Sequence, residues 1–321
     1  MIFIKLIILI LLFFLLGKSA EILIFNVEKI SKRLKVSVFA LGIILGILTT
    51  TPELFLGINA IIKNIESVSL GNLLGGIIVI FALLFGLTLF LNKKIKTDGD
   101  IKKIIPKLSF IFLPFLLGLK GGLNYIDGIL FLFLYFIVIF YDKIKNKILS
   151  FSNILDKKEK INNVYILKNI KDLKFWKEFF LFITSLASLL ILSYFIIDIA
   201  EKILIEINVS NFIIGLIIFS IGTNLPELIV ALKSRKNKNG LAISHLIGSG
   251  MANVFILGIL LFFKKFDVVI NTSYLFTFFF TLVILILVGI FYKTKKSFSK
   301  KEGLVLIFIY ILFIIYQFIL I

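Results

Sequence analysis

Long apolar runs separated by short polar stretches set the pattern of the chain. A membrane-spanning helix needs about 20 mostly apolar residues. By that measure ten segments qualify, near 2–17, 36–61, 69–91, 104–119, 122–142, 177–198, 209–232, 241–263, 271–292 and 302–321. After the first of these comes Gly17-Lys18-Ser19-Ala20, a small-residue stretch of the kind that signal peptidases cut. Only Lys5 stands before it, however, and Lys18 and Glu21 are three apart and can pair on a continuing helix. A retained first helix is the expectation.

The polar stretches divide by charge. Of the 36 Lys and Arg residues, 28 fall in the stretches after spans 1, 3, 5, 7 and 9, 5 fall after spans 2, 4, 6 and 8, and Lys5, Lys107 and Lys177 lie within spans. Basic residues are retained on the cytoplasmic side, so the odd-numbered loops are cytoplasmic and both termini face outward. The largest loop divides the chain into a first five-helix repeat (1–142), a cytoplasmic linker (143–176) and a second five-helix repeat (177–321). A short amphipathic helix over Ile161 to Trp176 would fit the inner leaflet. A plain linker is the simpler expectation. Five is odd, so the second half enters the membrane in the opposite sense to the first. The predicted fold is all-α and integral to the membrane, with ten transmembrane helices as two inverted repeats.

Composition narrows the function classes. The chain is 60% hydrophobic with a mean hydropathy of +1.11, which no soluble domain of 321 residues matches. A net charge of +18 would suggest nucleic acid in a soluble protein; here it follows the loops and meets lipid headgroups, so no nucleic-acid partner is expected. The absence of cysteine removes disulfides and thiolate metal sites, and the single histidine, His245, removes a multi-histidine zinc site. The bias to Ile, Lys, Asn and Phe fits an AT-rich prokaryotic genome, and the expected location is a prokaryotic plasma membrane.

Candidate chemistry sits inside two of the apolar runs. Thr49-Thr50-Thr51-Pro52-Glu53-Leu54 and Thr223-Asn224-Leu225-Pro226-Glu227-Leu228 each place a proline and a carboxylate mid-span, 174 residues apart. A charged residue at the centre of a membrane helix costs roughly 2.5–3.5 kcal/mol on insertion scales, so it marks a functional site. Proline removes a backbone donor and frees carbonyl oxygens, which need a partner inside the membrane. Thr and Asn add neutral oxygens. Each motif is followed by a glycine-rich stretch, Gly71-Asn72-Leu73-Leu74-Gly75-Gly76 in the first half and Ser244-His245-Leu246-Ile247-Gly248-Ser249-Gly250 in the second. Gly71, Gly75, Gly248 and Gly250 are expected to let helices approach closely. Two carboxylates with neutral oxygens suit a hard cation such as Ca²⁺ or Na⁺, and paired inverted halves mark secondary transporters.

At these residues the chain resembles the calcium/cation antiporter superfamily, in particular its prokaryotic sodium/calcium exchanger branch. The similarity is strong at Thr49–Leu54 and Gly222–Leu228, good at Gly248–Asn253 and poor at Gly75–Ile80. It implies that Glu53 and Glu227 are the central cation-binding carboxylates and that Thr49 and Thr223 supply the first hydroxyl position. Thr50 and Asn224 would stand at the next position, with Ser249 and Asn253 on the following helix. The positions matching Ser249 and Asn253 in the first half are Gly76 and Ile80, which carry no side-chain oxygen. One cation site is thereby put in doubt, and with it the use of sodium.

The expected function is sodium/calcium antiport by alternating access. A proton-coupled cation exchanger of the same fold and a non-transporting membrane scaffold or sensor are the alternatives. No nucleophile–base pair points to an enzyme. No cofactor is expected, because the cations are substrates; the partners are the bilayer and inorganic cations, with protein partners unspecified. His245, Asp127 and Asp198 read as ordinary interfacial residues, with both carboxylates reaching water.

Overall fold

The computed structural model describes residues 2–33, 50–91, 94–96, 99–150, 173–207, 209–225, 227–228, 241–293 and 297–319. It is almost entirely helical. In chain order the helices are α1 (Ile2–Arg33), α2 (Thr51–Ile62), α3 (Glu66–Leu91), α4 (Ile101–Gly118), α5 (Tyr125–Ser150), α6 (Leu173–Ile207), α7 (Asn211–Thr223), α8 (Leu241–Leu260), α9 (Thr272–Lys293) and α10 (Lys300–Ile319). Six of them, in α1, α3, α6, α8, α9 and α10, are long and apolar enough to cross a membrane. The described part of the second predicted span is α2 alone, and the seventh ends at Thr223 before a turn at Asn224.

Several predicted boundaries shift. The first helix does not stop at residue 17. It runs unbroken to Arg33, Lys18 donates to Glu21 at 3.0 Å, and Ala20 and Leu23 are buried. α5 continues to Ser150 and α6 begins at Leu173, so helix extends into both ends of the expected linker 143–176. Residues 161–172 of the suggested amphipathic helix lie outside the described residues.

Four helices, α4, α5, α7 and α9, start at a side-chain cap. Asp100 accepts from the Lys102 N–H at 3.1 Å, Asn124 from Ile126 at 2.9 Å, Ser210 from Ile213 at 3.3 Å and Asn271 from Tyr274 at 2.9 Å, so each satisfies a donor of a first turn. Pro52 stands in the first turn of α2, where its missing N–H costs nothing. It opens a helix there and does not kink one.

Packing forms two apolar clusters. The larger joins α3, α4, α5, α8, α9 and α10; the smaller joins α1 and α6 to faces of α2, α3 and α7. In α3, 83% of the most apolar window is buried, against 28% in α10, so α3 is central and α10 is largely lipid-facing. Lipid removes the hydrophobic drive between helices, so close van der Waals contact has to hold them together. α3 and α7 meet backbone to backbone: a Cβ on Gly71 would strike the Phe212 carbonyl, on Gly75 the Leu216 carbonyl, and on Gly215 the Val68 carbonyl. The expected close approach at Gly250 is also present, against the Phe81 ring, whereas Gly248 faces open space.

The same contact recurs between the halves with the partners exchanged. Gly86 of α3 packs on Gly303 of α10, and Gly258 of α8 packs on Gly128 of α5. Two antiparallel strand pairs repeat the exchange. β1 (Lys94–Lys96) pairs with β4 (Ser297–Ser299) in the register Ile95 to Phe298, and β2 (Gly122–Leu123) pairs with β3 (Phe266–Asp267) in the register Leu123 to Phe266.

Candidate cation site

Two turns of matching conformation build the site. Thr50, at the start of α2, has φ −99° and ψ 14°, and Asn224, where α7 ends, has φ −85° and ψ 10°. Both sit in the sparsely allowed bridge region. One turn later the bond Leu54 N–H to Thr50 carbonyl (3.2 Å) is matched by Leu228 N–H to Asn224 carbonyl (3.1 Å). The sequence repeat is thus a repeat of backbone conformation. α7 reaches its turn through a π-helical stretch, Gly215–Phe219, and α3 carries another over Val79–Leu84. Such stretches shift side-chain register and gather at functional sites.

Glu53 and Glu227 follow the two turns. Both are 1% exposed, and they are close enough for each to feel the other's charge. None of their four carboxylate oxygens has a hydrogen-bond partner. Buried polar atoms are almost always paired, and two facing carboxylates are the costliest exception.

Neutral groups surround them. Thr50, Thr223, Asn224, Ser249 and Asn253 are all buried, at 2% exposure or less. The Thr223 hydroxyl lies beside Glu53 but points to Asn72 Oδ1, at 3.1 Å. The Asn224 amide nitrogen donates to the Ser220 carbonyl at 2.8 Å, and that of Asn253 to the Leu73 carbonyl at 3.4 Å. Asn224 Oδ1, Asn253 Oδ1 and Ser249 Oγ have no partner. The result is a buried set of oxygens, four of them from carboxylates and several neutral ones without a partner, of the type that suits a hard cation. Among the described residues no cluster of three or more Asp, Glu, His or Cys forms a metal site, so any charge matching falls to the two glutamates. Thr49 and Pro226 lie outside the described residues. Gly76 and Ile80 are buried in α3, Ile80 within its π stretch.

Sequence reasoning missed Asn72. It is 1% exposed, it holds the Thr223 hydroxyl across the halves, and its Nδ2 is unpartnered. The signal was an amide inside a glycine-rich stretch of an apolar run. His245 is itself not a satisfied interfacial residue, because its Nε2 is buried without a partner. Asp127 does not reach water freely: it is 5% exposed, held by Lys120 at 2.5 and 2.6 Å and by the Asn124 N–H at 2.8 Å. Asp198 is paired with Lys63 at 3.1 Å and Lys202 at 2.7 Å.

Comparison with known proteins places this geometry. Residues 4–142 and 177–319 match the family described as sodium/calcium exchanger protein. An uncharacterised membrane protein of Methanocaldococcus jannaschii is 27% identical over 249 residues, 75% of this chain and 78% of that protein. The sodium/calcium exchanger MaX1 of Methanosarcina acetivorans is 26% identical over 344 aligned positions, covering 94% of this chain and 95% of its own. Among solved structures, the sodium-calcium exchanger NCX_Mj soaked with 100 mM Na⁺ and 10 mM Sr²⁺ superposes with a TM-score of 0.64 at 23% identity, over 98% of both chains. That likeness shows a shared fold.

Proposed function

The chain belongs to the sodium/calcium exchanger protein family, and on that premise we propose that this multi-pass membrane protein is a secondary antiporter exchanging Na⁺ for Ca²⁺ by alternating access. One observation carries the reading: four buried carboxylate oxygens, on two glutamates at matching turns, lack any hydrogen-bond partner. A cation between Glu53 and Glu227 satisfies them, with Thr49, Thr50, Thr223, Asn224, Ser249 and Asn253 as the neutral oxygen donors around it. An ionised pair in a low-dielectric interior resists crossing unless cations neutralise it. That penalty on the empty carrier couples movement of one ion to movement of the other.

The layout proposed for that cycle is two inverted five-helix repeats with the site at the midplane, as in many secondary transporters, and both termini outside. Several contacts support this layout. Both strand pairs join loops expected on one side: β1 with β4 among cytoplasmic loops, β2 with β3 among outer loops. The ion pairs Lys63–Asp198, Lys264–Glu66 and Lys5–Glu206 all join segments expected outside. The exchanged glycine pairs Gly86–Gly303 and Gly258–Gly128 have the form an inverted repeat requires. The family match omits residues 143–176, which supports the division into repeat, linker and repeat.

Gly76 and Ile80 favour a second reading, exchange of protons for the cation, because protons need the two glutamates and no full oxygen shell. The test for both is ⁴⁵Ca²⁺ uptake into proteoliposomes, driven by internal Na⁺ or by a pH gradient, with Glu53→Gln alongside. Uptake that needs Na⁺ and falls by more than about a hundredfold in the variant is expected, since stripping one partner from a buried charged set costs roughly 3–5 kcal/mol. Uptake driven only by the pH gradient would replace sodium coupling with proton coupling, and uptake unchanged in Glu53→Gln would remove the site.

A further inference from the structure

In sequence, Gly76 of α3 stands where α8 carries Ser249. Read from sequence, the glycine is a lost ligand. Its surroundings say otherwise. A Cβ built on Gly76 would lie 2.6 Å from Asn253 Nδ2 and 3.1 Å from Asn224 Nδ2. The volume of the missing side chain is therefore filled by two amide groups from the second half of the chain. Their orientation is fixed, because each Nδ2 donates to a backbone carbonyl, Ser220 for Asn224 and Leu73 for Asn253, and a carbonyl can only accept. With both nitrogen ends held there, both Oδ1 atoms are buried and unpartnered.

We propose that Gly76 is a positioning residue for cation binding: its bare backbone is the seat on which the amides of Asn224 and Asn253 rest, so that their carbonyl oxygens stand free as neutral ligands beside Glu53 and Glu227. The proposal rests on the cation-site reading above and deepens it. The oxygens that α3 lacks are replaced by longer side chains reaching across from α7 and α8, so the two halves share one ligand layer. Any side chain at position 76 meets the mobile end of Asn253 first. The fold can give way there, and what moves is the ligand.

This reverses two ordinary expectations. A glycine inside a helix is usually improved by alanine, and adding the hydroxyl of a serine would be expected to restore a ligand. Here both changes weaken binding. The test measures Ca²⁺ affinity by titration calorimetry in detergent, KM and Vmax for ⁴⁵Ca²⁺ uptake, and Tm. The proteins are the wild type, Gly76→Ala, Gly76→Ser, Asn253→Ser, the Gly76→Ala/Asn253→Ser double variant and Glu53→Gln. Gly76→Ala and Gly76→Ser are expected to raise Kd and KM about tenfold, with Vmax and Tm held or Tm raised, and Gly76→Ala is expected to add less than twofold once Asn253 is already Ser. Unchanged Kd in both Gly76 variants, or an equal loss with and without Asn253, would overturn the seat. Calcium binding by Glu53→Gln equal to that of the wild type, including none by either, would overturn the underlying cation-site reading instead.

Discussion

Thr50 and Asn224 share one backbone conformation, and the same bond, from the Leu54 or Leu228 N–H, closes the turn that carries each glutamate. The helices that follow are not alike. α8 carries Ser249 and Asn253 where α3 carries Gly76 and Ile80. The difference separates two kinds of requirement. The turn is duplicated because each half has to hold a carboxylate against the cost of burying it. On the proposed cation-site reading, neutral ligands need no duplication, because side chains of one half reach the middle when the other half leaves room. The scaffold follows the first rule: both glycine pairs and both strand pairs occur twice with partners exchanged.

The comparison breaks most sharply at Asn253 and Ile80, which occupy matching places. Asn253→Ala removes a free amide oxygen from the site and is expected to cut ⁴⁵Ca²⁺ uptake about tenfold to a hundredfold, since a hydrogen bond to a charged group contributes roughly 1.5–3 kcal/mol. Ile80→Val, by contrast, should cost about 0.5–1.5 kcal/mol of stability as a core truncation and leave uptake within about twofold. Equal losses of uptake would mean that α3 contributes to the site as directly as α8.

The scaffold can be tested for the equality that the ligands lack. A Cβ at Gly303 would lie 2.6 Å from the Gly86 carbonyl, and at Gly128 2.7 Å from the Gly258 carbonyl. Gly303→Ala and Gly128→Ala should each destabilise by about 1–3 kcal/mol through overpacking, with matching drops in Tm. A drop in only one would show that the two contacts do not bear equally on the fold.

The smallest effect belongs to the surface. Lys63 donates to Asp198 and Glu201, both at 3.1 Å, and these hydrogen bonds, with the attraction of the two carboxylates, hold its ammonium above the ordinary lysine value of 10.5. A raised pKa contributes stability in full below the unfolded value and loses it as pH rises through the folded one. Lys63→Gln should therefore lower Tm slightly at neutral pH. The gap should shrink with salt and close only above the lysine range.

How much of this was legible varied from residue to residue. Glu53 and Glu227 stood out because a carboxylate in an apolar run has few structural excuses. The turn at Asn224 could be read from Asn-Leu-Pro-Glu, although only coordinates showed that its φ and ψ repeat those of Thr50. Asn72 was passed over, since one amide in a glycine-rich stretch looks like packing until Thr223 is found against it. The close approach expected at Gly248 does not occur, because sequence spacing cannot say which neighbour a helix face will meet.

The sequence alone determined the class of the protein: apolar runs of bilayer length, basic loops on one side, and two Pro-Glu motifs 174 residues apart. These follow from local rules of hydropathy, charge and backbone chemistry, each readable within a few residues. Only the tertiary structure decided which groups meet around the two glutamates. Such meetings depend on distances between residues far apart in the chain, and the space beside Gly76 is filled by Asn224 and Asn253 from about 150 and 180 residues away.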